Sequence, residues 1–109
     1  MRINNLNELN KKDNVQYKAR NMFFDYVEPN GQFDKKQEIY QIWSYSTIVG
    51  YYNKTTHYAI FTNHKYSRTT TKQITMLCNE NKLNHDFIDK TFINCSTYDD
   101  INEIIDLLS

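Results

Sequence analysis

The spacing of apolar residues changes several times along the chain, and each change marks an element. Ile3, Leu6 and Leu9 recur every third residue, which predicts a short helix ahead of the polar run 10–14; residues 1–14 are either that helix or a poorly ordered segment. Gln16 to Val27 is rich in aromatics and reads as extended chain. It closes at Glu28-Pro29-Asn30-Gly31, whose Pro and Asn-Gly form turns. Asp34 to Glu38 is a charged connector.

From Ile39 to Tyr52 the residues are β-branched and aromatic, which predicts one strand. Trp43, Tyr45, Thr47, Val49 and Tyr51 share one face, and Ile42, Ser44, Ser46 and Ile48 the other. Asn53-Lys54-Thr55 makes a hairpin loop, and Thr56 to His64 returns as a second, antiparallel strand. After Lys65-Tyr66 the period becomes helical, with Ile74, Leu77 and Cys78 at i, i+3 and i+4 and Ser67, Thr69 or Thr70 as the N-cap. Ser96 to Asp100 supplies caps and first-turn carboxylates for a last helix striped by Ile101, Ile104, Ile105 and Leu108. The expected fold is α+β: a small antiparallel sheet of three to four strands packed by two or three helices, including the amphipathic C-terminal one. The whole span, 1–109, is expected to form a single domain, since its length leaves no room for two cores.

Composition changes this picture in one respect. Nine Tyr, six Phe and Trp43 supply much of the apolar material. A buried phenol needs a hydrogen-bond partner, so some tyrosines are expected to face water or a ligand. The two cysteines, Cys78 and Cys95, lack metal or redox spacing and are expected to be reduced and buried in a cytosolic protein. No apolar stretch approaches the roughly 20 residues of a membrane span, and the first residues are polar rather than signal-like.

Charge changes it more. The formal net charge is zero, yet residues 1–38 carry seven basic and six acidic side chains, 39–79 carry Lys54, Lys65, Arg68 and Lys72 with no acid, and 80–109 carry seven acids against Lys82 and Lys90. An acid-free run of this length predicts a surface that attracts anions. A competing reason for the missing acids is that strands and buried faces exclude them.

Candidate chemistry gathers in Tyr66-Ser67-Arg68-Thr69-Thr70-Thr71-Lys72-Gln73, which stacks hydroxyls and two cations at a helix start. Helix N-termini offer unpaired N–H groups and a positive dipole end, so Ser67, Arg68, Thr69, Thr70 and Lys72, joined by Lys65 and Lys54, form the expected anion or partner site. Ordinary capping is the plainer reading of the same residues. Trp43, Tyr45, Tyr51, Tyr52 and Tyr66 interleave with these cations and are the expected aromatic contacts, in the combination that stacks bases above phosphates. They are equally the material of a sheet core.

Ser44-Tyr45-Ser46-Thr47, a hairpin, and then Tyr66-Ser67-Arg68-Thr69-Thr70 resemble a pattern of small phage proteins, Ser-Tyr-x-Thr before a hairpin and Tyr-Ser-x-Thr-Thr opening a helix. The resemblance covers about residues 40–78 and implies a viral or mobile-element origin. It departs where Gln73 stands in place of a common His.

Two Gly residues leave no phosphate loop, and no zincin motif, nucleophile elbow or paired-Cys site is present, so no catalytic residue, metal or cofactor is assigned. The least poor catalytic constellation is His57, His64 and His85 with Asp86. The sequence therefore predicts a phage-encoded binding protein of the host cytosol that engages a host protein, an inhibitor of defence or nucleic-acid-processing machinery, with no membrane partner. The alternative is direct binding of single- or double-stranded nucleic acid by segment 40–73, and either reading permits a homo-oligomer.

Overall fold

Alternation of apolar and polar residues continues further along this chain than three or four strands require. In the computed structural model, which describes residues 1–18, 21–28, 37–64, 67–92, 103–104 and 106–108, seven strands form one sheet in sequence order. They are β1 (Arg2–Ile3), β2 (Val15–Tyr17), β3 (Met22–Val27), β4 (Ile39–Ser44), β5 (Thr47–Asn53), β6 (Tyr58–Thr62) and β7 (Asn84–Ile88). The four central pairings are antiparallel, while β1–β2 and β6–β7 are parallel. Parallel neighbours need a crossover. A 3-10 turn, Leu6–Glu8, and helix α1, Arg68–Asn81, occupy the two crossovers.

The expected three-to-four-strand sheet with two or three helices is thus overturned by a mixed, sheet-rich fold with one long helix. Two misread segments account for most of the difference. The stretch 39–52 is two strands, because the chain reverses at Tyr45-Ser46 and Ser44 pairs with Thr47. Period-two alternation runs unbroken through a two-residue turn, so spacing alone cannot show the reversal. Asn84–Ile88 is a strand where the sequence reading placed none; its mostly exposed side chains hide it from a search for apolar runs. The spacing of Ile3, Leu6 and Leu9 does bury all three, but only Leu6 lies in a helical turn, whose Asn5 and Glu8 form a capping box.

Both faces of the sheet are covered. On one, Tyr17, Phe24, Tyr40, Ile42, Val49, Tyr52, Ala59 and Phe61 pack beneath Leu6, Leu9 and the Ile74-Leu77-Cys78 stripe of α1. On the other, Ile39, Ile48, Tyr51 and Ile60 meet Phe92, Ile104 and Leu108. Glu103, Ile104 and 106–108 are helical, and Ile104 and Leu108 bury the stripe expected of the C-terminal helix; Ile101 and Ile105 lie outside the described residues. Gly50 is required at the β5 irregularity. A Cβ there would sit 2.7 Å from Phe61 Cδ1 and closer still to the Ile60 carbonyl oxygen, so a side chain at 50 would displace β6.

The tyrosine hydroxyls find partners inside the protein. Tyr40 donates to Glu38 Oε2 at 2.5 Å and accepts from the Lys11 N–H, Tyr51 accepts from Gln41 Nε2, and Tyr52 bonds His57 Nδ1 at 2.9 Å. Burial pushes the Tyr40 phenol strongly upward and Tyr52 up to about 12. This is why an aromatic-rich chain can take its phenols into the core. Tyr45 is the one described tyrosine that is exposed.

Helix α1 is rich in Thr and Asn, residues of middling helix propensity, so its stability rests on packing and on its caps. Ser67 caps the start by accepting the Thr70 N–H at 3.1 Å. The end turns through Lys82 in the left-handed region (φ 50°), with the Leu83 N–H on the Cys78 carbonyl at 3.0 Å. Cys78 is free and buried on α1, and burial pushes its thiol up to about 11; Cys95 lies outside the described residues.

Candidate functional site

The turn Ser44-Tyr45-Ser46-Thr47 and the helix start Ser67–Thr70 are 20 residues apart in sequence, and the fold brings them together. β4 ends at Ser44, β5 begins at Thr47, and α1 crosses the sheet so that its first turn lies against this hairpin. Between them is a cleft of about 410 Å³ lined by Ser44, Tyr45, Thr47, Val49, Ser67, Thr69 and Thr70.

Its floor is a chain of hydroxyls. Ser67 Oγ donates to Thr70 Oγ1 at 3.1 Å, and Ser44 Oγ donates to Gln73 Oε1 at 2.7 Å. The Ser44 hydrogen being used, the 3.1 Å bond between Ser44 and Thr70 has Thr70 as donor. The sequence of donors runs Ser67, Thr70, Ser44 and ends on the buried Gln73 amide. The hydroxyl chain thus joins Ser67, Thr70 and Ser44 to Gln73. The arrangement makes a rigid polar surface.

Arg68 and Lys72 are exposed at i and i+4 on the outer side of α1, outside the cleft lining, and no described acid pairs with either. Ser67 takes the N–H of Thr70 with its side chain and that of Thr71 with its carbonyl, so the helical geometry leaves the Arg68 and Thr69 N–H groups without an intrahelical acceptor. Across the cleft Tyr45 is 53% exposed and sits at φ 55°, where a bulky side chain is strained. Its N–H is held by the Asn21 carbonyl at 2.8 Å. A hairpin turn with positive φ normally takes Gly, Asn or Asp there.

The other sequence-derived candidates go elsewhere. Lys54 is half-buried at the far end of β5, bonded to the Leu9 carbonyl at 2.5 Å and paired with Glu38 at 3.7 Å. Tyr52 is in the core beneath α1, and Tyr51 and Trp43 lie on the opposite face of the sheet. The Trp43 indole N–H is buried without a partner among the described residues. Lys65 and Tyr66 lie outside the described residues. The least poor catalytic constellation, His57, His64 and His85 with Asp86, is divided among separate contacts. His57 bonds Tyr52 and the Asn81 carbonyl, His85 lies edge-on to Phe61 and Phe87, and Asp86 accepts the Tyr58 hydroxyl, whose pKa that bond raises. No group of three His, Cys, Asp or Glu among the described residues is placed to hold a metal ion.

Sequence reasoning left Ser44 and Thr47 off the site, and it missed a second groove of about 300 Å³ on the other side of Thr70. That groove is lined by Thr62, Asn63, His64, Thr71, Ile74, Thr75 and Phe87. The period-two run His85 and Phe87 against Asp86 and Ile88 was the available signal for its outer wall.

The chain belongs to a family of unknown function (DUF8033), whose model matches residues 4–94 and so includes both halves of the cleft. Neither a curated protein nor a solved structure matches. No helix among the described residues is long and apolar enough to cross a membrane.

Proposed function

We propose that this member of the DUF8033 family is a small phage-encoded, non-enzymatic binding protein that engages a host protein in the cytosol through the cleft at the start of α1. The observation that carries the reading is Tyr45. A large ring is held in solvent on a backbone at positive φ, beside a hydroxyl-lined cleft, and the first turns of the helix on the other side of that cleft carry two exposed cations with no acid partner among the described residues. Strain kept at an exposed aromatic is characteristic of a contact surface. The partner is a protein segment that presents carboxylates to Arg68 and Lys72 and a recess to Tyr45. Interference with a defence or nucleic-acid-processing factor is the role such a docking module serves for a phage.

Direct nucleic-acid binding is less well supported. Of the described groups it needs, Trp43, Tyr51 and Tyr52 are taken by the sheet and Lys54 by Glu38, leaving Tyr45, Arg68 and Lys72 among the described residues. About two phosphate contacts give weak, strongly salt-dependent binding. The test is affinity capture from nuclease-treated host lysate by the wild-type chain and by a Tyr45→Ala, Arg68→Ala, Lys72→Ala variant, with a band-shift assay at low salt beside it. One protein captured by the wild type and lost from the variant is expected. A nucleic-acid shift at low salt with no protein captured would overturn the reading.

A further inference from the structure

The two edges of the sheet are unlike. β1 is two residues long, whereas β7 has four of its five residues exposed, pairs only with β6 among the described residues, and carries no Pro, Lys or Arg, the usual guards of an edge. After β7 the described chain leaves this edge and passes beneath the sheet, where Phe92 packs edge-on to Tyr51. The Asn63 N–H donates to the Ile88 carbonyl at 2.9 Å, in register with the pair Thr62 and Ile88. In a parallel ladder, residues two apart on one strand face the same neighbour, so Asn84, Asp86 and Ile88 turn their backbone groups to β6. His85 and Phe87 turn theirs outward, and Phe87 is 53% exposed on the α1 face.

We propose that β7 pairs antiparallel with β7 of a second copy of this chain, about a two-fold axis through Phe87. Symmetric pairing can centre on His85, Asp86 or Phe87, and an axis at His85 would set Phe87 opposite Leu83, which is buried and lies outside β7. An axis at Asp86 would set two carboxylates directly opposite each other, which is unfavourable. An axis at Phe87 sets ring against ring and His85 of each copy opposite Asp89 of the other, so ring and charge complement themselves without any other partner. That axis also passes through a pair whose outward N–H and C=O groups bond reciprocally, as the ladder demands. Because it is perpendicular to the sheet, both α1 helices lie on one face. The grooves walled by Phe87 meet across the axis, and the two pairs Arg68 and Lys72 are presented on the same side. The inference does not depend on what the cleft binds.

A single strand pair is small beside the roughly 1,200 Å² of a stable interface, so the association is concentration-dependent. Sedimentation equilibrium of the wild-type chain is expected to show the average mass rising toward two chains with concentration, and Phe87→Lys, which opposes like charges on the axis, to remain at one. Position 87 also reports register. In a Cys95→Ser background, Phe87→Cys places two thiols on residues with Cα atoms about 5.5 Å apart, inside the disulfide range, whereas Asn84→Cys places them about 20 Å apart. Mild oxidation should therefore cross-link Phe87→Cys at least about tenfold faster than Asn84→Cys. A wild-type mass that stays at one chain up to millimolar concentration, or equal cross-linking at the two positions, overturns the proposal.

Discussion

The two ends of α1 are built on opposite plans. At its C-terminal end the side chains of Glu80 and Asn81 are spent on the fold. Asn81 accepts the Leu6 N–H at 2.9 Å, donates to the Tyr17 hydroxyl and the Leu77 carbonyl, and offers its own carbonyl to His57 Nε2. Glu80 adds a bond from Tyr17 and an ion pair with Lys18. One residue thus ties the helix to the N-terminal turn, to β2 and to the β5–β6 turn. At the N-terminal end the helix is capped by its own Ser67, and Arg68, Thr69, Thr71 and Lys72 are left in water. Groups that stabilise a fold find partners within it, so an end that is exposed, cationic and adjacent to a strained ring is free to serve something else.

Substitutions can break this contrast. Asn81→Leu leaves the Leu6 N–H without its acceptor and the Tyr17 hydroxyl without its donor, so a loss of about 3 kcal/mol is expected in urea unfolding. An unchanged midpoint would show that the C-terminal end is not a fastening point. Base should act on the same end. Tyr52, bonded to His57, is pushed from 10.0 up to about 12, chiefly by burial and then by Glu38, and Tyr17 is raised too. Below pH 10 both folded and unfolded chains keep these protons and stability is intact. Above it the unfolded chain ionises first, so stability falls as pH rises toward about 12, and phenolate absorbance should appear together with unfolding.

At the other end the effects are smaller and differ in kind. Tyr45→Gly removes the strain of a positive φ and is expected to stabilise the fold by about 0.5–1 kcal/mol in thermal unfolding while weakening capture of the partner. A variant that lost both stability and binding would make Tyr45 a structural residue. Arg68→Ala with Lys72→Ala should leave stability within about 0.5 kcal/mol and act on partner binding alone. A clear fall in melting temperature would mean that these cations hold the domain together.

How much of this was legible in the sequence depends on the range of the interaction. The Ser67 cap, the apolar stripe of α1, the pairing of β5 with β6 and the burial of Ile104 and Leu108 follow from contacts within a few residues or from a single periodicity. The same logic failed at Tyr45-Ser46, where a reversal preserves the alternation, and at β7, whose side chains are polar because it is an edge. The site was half legible. Ser67, Arg68, Thr69, Thr70 and Lys72 stood out as a local cluster, but the aromatics expected beside them mostly went inward because each phenol met a partner.

What the sequence determined by itself was local: hydroxyl caps, apolar stripes and an acid-free run between two charged ones. Which cations stay free, which rings reach water and which strand ends the sheet were decided by tertiary structure. Those outcomes depend on pairings such as Leu6 with Asn81 and Ser44 with Thr70, between groups too far apart in the chain for any spacing to record.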